Sequence, residues 1–429
     1  MKPSDLARAT GALLPDARRL FAELRASSTD GDGVTREAYG PRETAAQDVV
    51  ARFARAEGLA VEHDRAANLV ISLPGRSADA PFIAVGSHLD SVPCGGNYDG
   101  AAGVIAGVLA LALLKRVPIA PPRTVRLLAL RGEESAWFGK SWIGSHALLG
   151  LLADADLAQR RTDSGRTLAD HLRDAGADIE AIRAREPLLR AASVAAFLEL
   201  HIEQGPVLEA AGLPLGIVTS IYGNLRHRRI RCGGEAAHAG ATPRGLRRDA
   251  VIAVADFVMR LDARWSEWLA HGRQITVTHG MVATDPHEHA ISRVAGTVDF
   301  SLEIRAEDEA TLRAFHEAAR AEAAAVGVER GVAFEFDTPI VNLPAAMDAA
   351  WIERLAACCE EERIPVHPMP SGAGHDAAVF AHAGVPTAML FIRNQFGSHN
   401  SREDMQLADF QLGLGVLVRV LLAPAARAC

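Results

Sequence analysis

The run Pro81–Asp90 reads PFIAVGSHLD, an apolar stretch that turns polar only at Ser87, His88 and Asp90. A run that is nearly all apolar fits a strand buried on both faces, with its chemistry at the C-terminal end. Three other stretches share this grammar. TVRLLALRGEES (124–135) ends in Glu133 and Glu134, VAAFLELHIEQG (194–205) carries His201 and Gln204, and PTAMLFIRNQFGSHN (386–400) carries Gly397, Ser398 and His399. Helical segments alternate with these strands: one around Leu13–Leu24, one over Arg42–Glu57 and the apolar Gly103–Leu114. The fold class that follows is α/β, an open doubly wound sheet with polar groups along one edge.

From Leu213 the texture changes. LGIVTSIYGNLRHRRIRCGG reads as a hairpin-forming pair. An amphipathic helix, two more strands, a helix over Asp308–Val326 and the strand VAFEFD follow. This ββαββαβ order predicts an α+β domain of the ferredoxin-like kind inserted over 213–341. The doubly wound domain then comprises 1–212 and 342–429. A length of 429 residues agrees with two cores.

Bulk properties exclude several classes. A net charge of −8 provides no basic field for nucleic acid or anionic lipid. The run Arg226, His227, Arg228, Arg229 and Arg231 is read as one polar strand face, because no aromatic residues interleave it as single-strand binding demands. Gly103–Leu114 is too short to span a bilayer, and MKPSDLARATGALLPD contains no apolar run of signal-peptide length. The five cysteines (Cys94, Cys232, Cys358, Cys359, Cys429) form no CxxC pair and fit reduced thiols in a cytoplasmic compartment.

The strand ends supply what a pair of divalent cations needs: imidazoles and carboxylates delivered from several strands. Asp90, two residues beyond His88, is placed to accept the second imidazole N–H. Asp99 lies in NYDGAAG, where glycines permit close backbone approach. Of the adjacent Glu133 and Glu134, one can ligate while the other remains free as a base.

GSHLDSVPCGGNYDGAAGV, RGEESAWFGKSWIGS, ELHIEQGPVLE, GGEAAHAGATP, SGAGHDA and GSHNSRED resemble the motif series of the M20-type metallopeptidase superfamily, more narrowly its hydantoinase/carbamoylase branch. The resemblance runs from about Gly33 to Asp404. It implies that His88, Asp99 and His201 hold one cation, and Asp99, Glu134 and His399 the other, with zinc first and manganese, cobalt or nickel as substitutes. It also implies Glu133 as general base acting on a metal-bridging hydroxide, and Gln204, Gly397 and Ser398 as substrate contacts. His238 becomes the oxyanion donor, reaching from the partner of a homodimer, and Arg305 the grip on a substrate carboxylate. The inserted domain becomes a lid and dimerisation domain.

Ser292 departs from the branch pattern, standing in SRVAG where an asparagine is usual, and its shorter hydroxyl cannot span the same gap. Cys94 is read as a packed thiol, and His287 and His289 as solvent-exposed loop residues. The activity implied is hydrolysis of the C–N bond of an N-carbamoyl or related N-acyl amino acid. The alternatives are an aminoacylase or dipeptidase of the same superfamily and, remotely, a non-catalytic binding protein on the same fold.

Overall fold

The computed structural model describes residues 2–117 and 119–423, so Cys429 lies outside the described residues. Two compact units result: residues up to Thr219 with those from Met347 onward, and Ser220–Ala346.

In the first unit, four parallel strands stand side by side in the order Thr387–Ile392, Val194–Ile202, Phe82–His88, Val125–Leu130. Every residue of Phe82–His88 and of Thr387–Ile392 is buried. These are the four apolar stretches, and their shared direction brings His88, Arg131–Glu134, His201 and the 393–399 loop to one sheet edge. Antiparallel strands extend the sheet on both sides: Leu69–Leu73 and Ala60–His63 beyond one edge, Leu215–Ile221 beyond the other.

The helix Ala101–Arg116 is buried from Ala101 to Leu114 and packs on the sheet and on the helix Leu407–Leu422. Gly103 permits this approach, since a Cβ there would lie 2.1 Å from the Leu200 carbonyl oxygen. The helix expected near Leu13–Leu24 is Leu14–Ser28, preceded by a separate helix Pro3–Gly11. Pro15 explains the break: a proline lacks the N–H that would continue a helix but suits a first turn. The second expected helix spans Pro41–Ala56.

The second unit is a sheet in the order Ile275–Thr278, Thr297–Ala306, Gly223–Gly233, Ala333–Phe336, every pairing antiparallel. With the helices Ala250–Ala270 and Glu309–Arg330 between strands, the chain order is βαββαβ, the ferredoxin-like arrangement. Thr297–Ala306 alternates cleanly, with Val298, Phe300, Leu302, Ile304 and Ala306 packed in one core with Phe257 and Phe315. The basic run lies on Gly223–Gly233, where Arg226 pairs with Glu303 and Arg231 with Asp299.

The expected hairpin from Leu213 does not form. LGIVTSI joins the large sheet beside Thr387–Ile392, and GNLRHRRIRCG joins the second sheet. Leu215, Ile217 and Val218 are as buried as core strand residues, and this burial outweighs the local turn signal. The second unit therefore begins at Ser220 rather than 213, and it ends at Ala346 rather than 341.

Gly103→Ala should lower the urea midpoint, costing about 1–3 kcal/mol, because its methyl meets backbone that cannot give. Gly415→Ala, in the helix Leu407–Leu422 with nothing within 4 Å of its Cβ, should hold or raise the midpoint, by up to about 1 kcal/mol.

Candidate metal centre

The site is assembled from strand ends locked to one another. Asp90, fully buried, accepts the backbone N–H groups of Glu133 and Glu134, both at 3.0 Å. Glu43 accepts the N–H of Gly132 at 2.9 Å and Arg131 Nε at 2.6 Å. The acidic turn is thus fixed to the Phe82–His88 strand and to a helix. The Asp90 carboxylate lies 3.4 Å from His88 Nδ1, while its own carbonyl oxygen is nearer, at 3.1 Å. The expected hold of Asp90 on the His88 ring therefore comes from backbone as well as side chain.

His88 Nδ1 faces that carbonyl, and His201 Nδ1 faces the Ile202 carbonyl at 2.9 Å. A carbonyl only accepts, so both Nδ1 atoms donate and both Nε2 atoms turn to the cluster. There His88 Nε2 lies 3.6 Å and His201 Nε2 3.3 Å from Asp99 Oδ1, and the two Nε2 atoms are 3.4 Å apart. His399 Nε2 lies 3.4 Å from Asp99 Oδ2 and 3.3 Å from Glu134 Oε1. Gly100, at φ +65°, admits the His88 ring, because a Cβ there would sit 2.4 Å from Nε2.

These residues fit a pair of cations. Ligand atoms around a tetrahedral zinc, each about 2.0–2.1 Å from it, lie roughly 3.3 Å apart, close to the separations seen here. Asp99 offers one oxygen to each group, and its Oδ1 is buried without a hydrogen-bond partner. Burial opposes ionisation of Asp99, but His201, His399 and His88 outweigh it and hold the carboxyl well below the usual range. Asp99 and Glu134 push the His399 imidazole up to about 11, a proton affinity that a divalent cation would exploit in the proton's place. Glu199, His201 and His375 form a third group. Glu199 is engaged on both oxygens, by Ser87 Oγ and the Ala377 N–H, which makes it the poorer ligand.

Glu133 stands apart from the groups that could hold a cation. Burial and then the neighbouring Glu134 raise its pKa well above the ordinary value, against the pull of His88. Its Oε2 is 4.0 Å from His88 Nε2, and its Oε1 accepts the Trp142 indole N–H at 2.7 Å. Gln204 donates to Asp99 Oδ2 at 2.9 Å, and its own Oε1 has no partner. Ser398 Oγ lies 2.7 Å from Asp99 Oδ2 and also bonds Glu403. Gly397, at φ +66°, gives its carbonyl to Asn394 Nδ2.

Three further polar residues tie the loops together, and one thiol is placed differently from the expectation. Arg393 pairs with Asp409, and Asn394 Oδ1 receives the Gln204 N–H. Glu403 accepts the N–H groups of Tyr98 and Asp99 at 2.8 and 3.2 Å while holding Ser398, so it ties the Asp99 loop to the His399 loop. Cys94 is exposed rather than packed, because its left-handed turn at φ +51° directs it to the surface beside Asp30.

In the second unit, His238 is exposed, and its Nδ1 accepts the N–H groups of Gly240 and Ala241 at 3.1 and 3.2 Å. Its neutral ring therefore carries the proton on Nε2 and is a donor there. Ser292 lies alongside, its carbonyl receiving the Ala239 N–H at 2.7 Å, with its side chain exposed. Arg305 is on the open face of Thr297–Ala306, 3.1 Å from Glu303. His287 and His289 are exposed, with His289 Nε2 against Thr284.

Sequence reasoning passed over Trp142, Glu43 and Glu403, although Trp142 and Glu403 fall inside the motifs RGEESAWFGKSWIGS and GSHNSRED. No periodicity marks them, since each acts through a bond made in three dimensions.

The profile of Peptidase family M20/M25/M40 matches residues 84–423. The chain is 33% identical over 390 residues to the allantoate amidohydrolase of Escherichia coli (strain K12), covering 91% of this chain and 92% of that protein. It is 32% identical over 402 residues to the N-carbamoyl-L-amino-acid amidohydrolase of Paenarthrobacter aurescens, covering 94% and 95%. A crystal structure of a hydantoinase/carbamoylase family amidase from Burkholderia ambifaria superposes with a TM-score of 0.85 at 31% identity, over 98% of this chain and 99% of that one. The aminopeptidase PepT from Bacillus cereus, at 18% identity and a TM-score of 0.61, shares the fold. With its four motif-bearing strands side by side and parallel, the chain belongs to Peptidase family M20/M25/M40, in the hydantoinase/carbamoylase branch.

Proposed function

We propose that the protein hydrolyses the C–N bond of an N-carbamoyl or related N-acyl amino acid at a centre of two divalent cations. The observation that carries this reading is the doubled geometry at Asp99: one oxygen faces His88 and His201, and the other faces His399, which in turn faces Glu134. Zinc suits this imidazole and carboxylate set, with manganese, cobalt or nickel as replacements. Such cations polarise a carbonyl and lower the pKa of water.

The chain's own groups do the rest. Glu133, buried and outside the ligand set, takes a proton from the attacking water and gives it to the departing nitrogen. The unpartnered Gln204 Oε1 accepts an N–H of the substrate, with Gly397 and Ser398 shaping the same wall. His238, its Nε2–H fixed as a donor, stabilises the developing oxyanion from the partner copy of a homodimer. Arg305 takes the substrate carboxylate in its fork. The exposed apolar stripe Val251, Ile252 and Met259 on Ala250–Ala270 supports self-association of the second unit as a lid and dimerisation domain. A cytoplasmic setting agrees with four free thiols among the described residues. No described helix is long and apolar enough to cross a membrane.

Ser292 supports a second substrate reading, an N-acyl amino acid or dipeptide, because the side chain beside His238 is a short hydroxyl. Purified enzyme reloaded with zinc or manganese should release ammonia from N-carbamoyl-L-amino acids or allantoate. Turnover of N-acetyl amino acids or dipeptides alone would transfer the protein to the second reading.

Glu133→Gln should cut kcat by about 10²–10⁴-fold while two cations remain bound, as general-base loss predicts; activity near wild type would remove Glu133 from this role. Glu403→Ala should weaken cation binding by about tenfold or more in calorimetry, on the scale of a lost partner that orients a ligand. Unchanged binding would make Glu403 a purely structural tie. Mixing inactive Glu133→Gln and His238→Ala proteins should restore about a quarter of wild-type activity, since half of randomly formed symmetric dimers are mixed and each holds one complete site. No recovery after subunit exchange would place His238 in its own subunit's site or outside catalysis.

A further inference from the structure

Trp142 carries a bulky aromatic side chain on a left-handed backbone, φ +59° and ψ +39°, at the start of the helix Ile143–Leu148. Such a conformation is disfavoured for a residue with a large Cβ substituent, and it persists only where the surroundings over-determine it. Here they do so around one residue. The Trp142 backbone N–H donates to the Glu133 carbonyl at 3.0 Å, and the indole Nε1–H donates to Glu133 Oε1 at 2.7 Å. On the far side the ring edge lies against Gly374, where a Cβ would stand 2.5 Å from Trp142 Cζ2. The Trp142 carbonyl receives the His146 N–H at 2.9 Å, which closes the turn.

Both N–H donors of Trp142 therefore reach Glu133, and the indole divides its carboxyl group into two unlike oxygens. Oε1 is held by the indole, while Oε2 is the oxygen that faces His88 Nε2. A glutamate with free χ angles would exchange these oxygens and swing away from the centre, and an aromatic donor with only two χ angles of its own is a stiff restraint.

We propose that Trp142 is the positioning residue for Glu133, fixing Oε1 so that Oε2 alone exchanges the proton with water and the leaving nitrogen. This rests on the reading of Glu133 as general base.

Trp142→Phe keeps the ring and removes the donor. It should lower kcat by about tenfold to a hundredfold, with KM and cation content unchanged, which is the size expected when a catalytic group loses orientation. In a Glu133→Gln background the same substitution should cause no further loss in single-turnover assays. A second readout needs no substitution at Trp142. The indole N–H resonance of ¹⁵N-tryptophan-labelled protein, assigned through its Overhauser contact to Gly374, should shift in Glu133→Gln, as its acceptor changes from a carboxyl to a carboxamide oxygen. Normal turnover by Trp142→Phe, a full multiplicative loss in the double variant, or an unmoved indole resonance would each overturn the proposal. If Glu133→Gln itself turns over normally, the general-base reading fails instead, and the two failures are told apart by that single variant.

Discussion

The centre depends on one buried carboxylate. Asp90 has no exposed surface, and its two oxygens each accept a backbone N–H from the start of the acidic turn. A carboxyl group can be buried in that position because two backbone hydrogen bonds replace its lost hydration and because His88 Nδ1 lies within 3.4 Å. The consequence is mechanical as well as electrostatic. The Phe82–His88 strand delivers an imidazole, the neighbouring Val125–Leu130 strand delivers Glu133 and Glu134, and Asp90 fixes the second delivery against the first.

The other loops are fixed by the same kind of device. Glu403 reaches from the His399 loop to the N–H groups of Tyr98 and Asp99, and Asn394 receives the Gln204 N–H. His399 needs such support, since it sits at φ +58° with Phe396 and Gly397 also left-handed, and its side chain is half exposed. A loop with that much unfavourable backbone would relax without outside anchors. Arg36, fully buried beneath the site, bonds the Leu89 carbonyl and Asn97, and so braces the segments on both sides of the cluster. Asp90, Glu43 and Glu403 thus hold backbone, while Asp99 and Glu134 face the histidine cluster, and the two sets are interleaved along the chain.

The architecture of the first unit was legible because burial on both strand faces leaves a simple mark, an apolar run that ends in polar residues. PFIAVGSHLD, TVRLLALRGEES, VAAFLELHIEQG and PTAMLFIRNQFGSHN all carry it, and the structure sets them side by side and parallel. The mark failed at LGIVTSI. That stretch is equally apolar but pairs antiparallel in the large sheet, and the turn after it only mimics a hairpin. Residues such as Trp142 and Glu403 were visible as letters in motifs, yet their partners lie at distant or turned positions that no spacing rule reaches. Cys94 shows the converse: read as a packed thiol, it is carried to the surface by a left-handed turn that no letter of the sequence marks.

The central claim is that Asp99 bridges two cations, and anomalous diffraction from zinc-soaked crystals tests it most directly. Two peaks are predicted, one bounded by His88, Asp99 and His201 and one by Asp99, Glu134 and His399. A single peak, or a peak among Glu199, His201 and His375 in place of the first, would contradict the account.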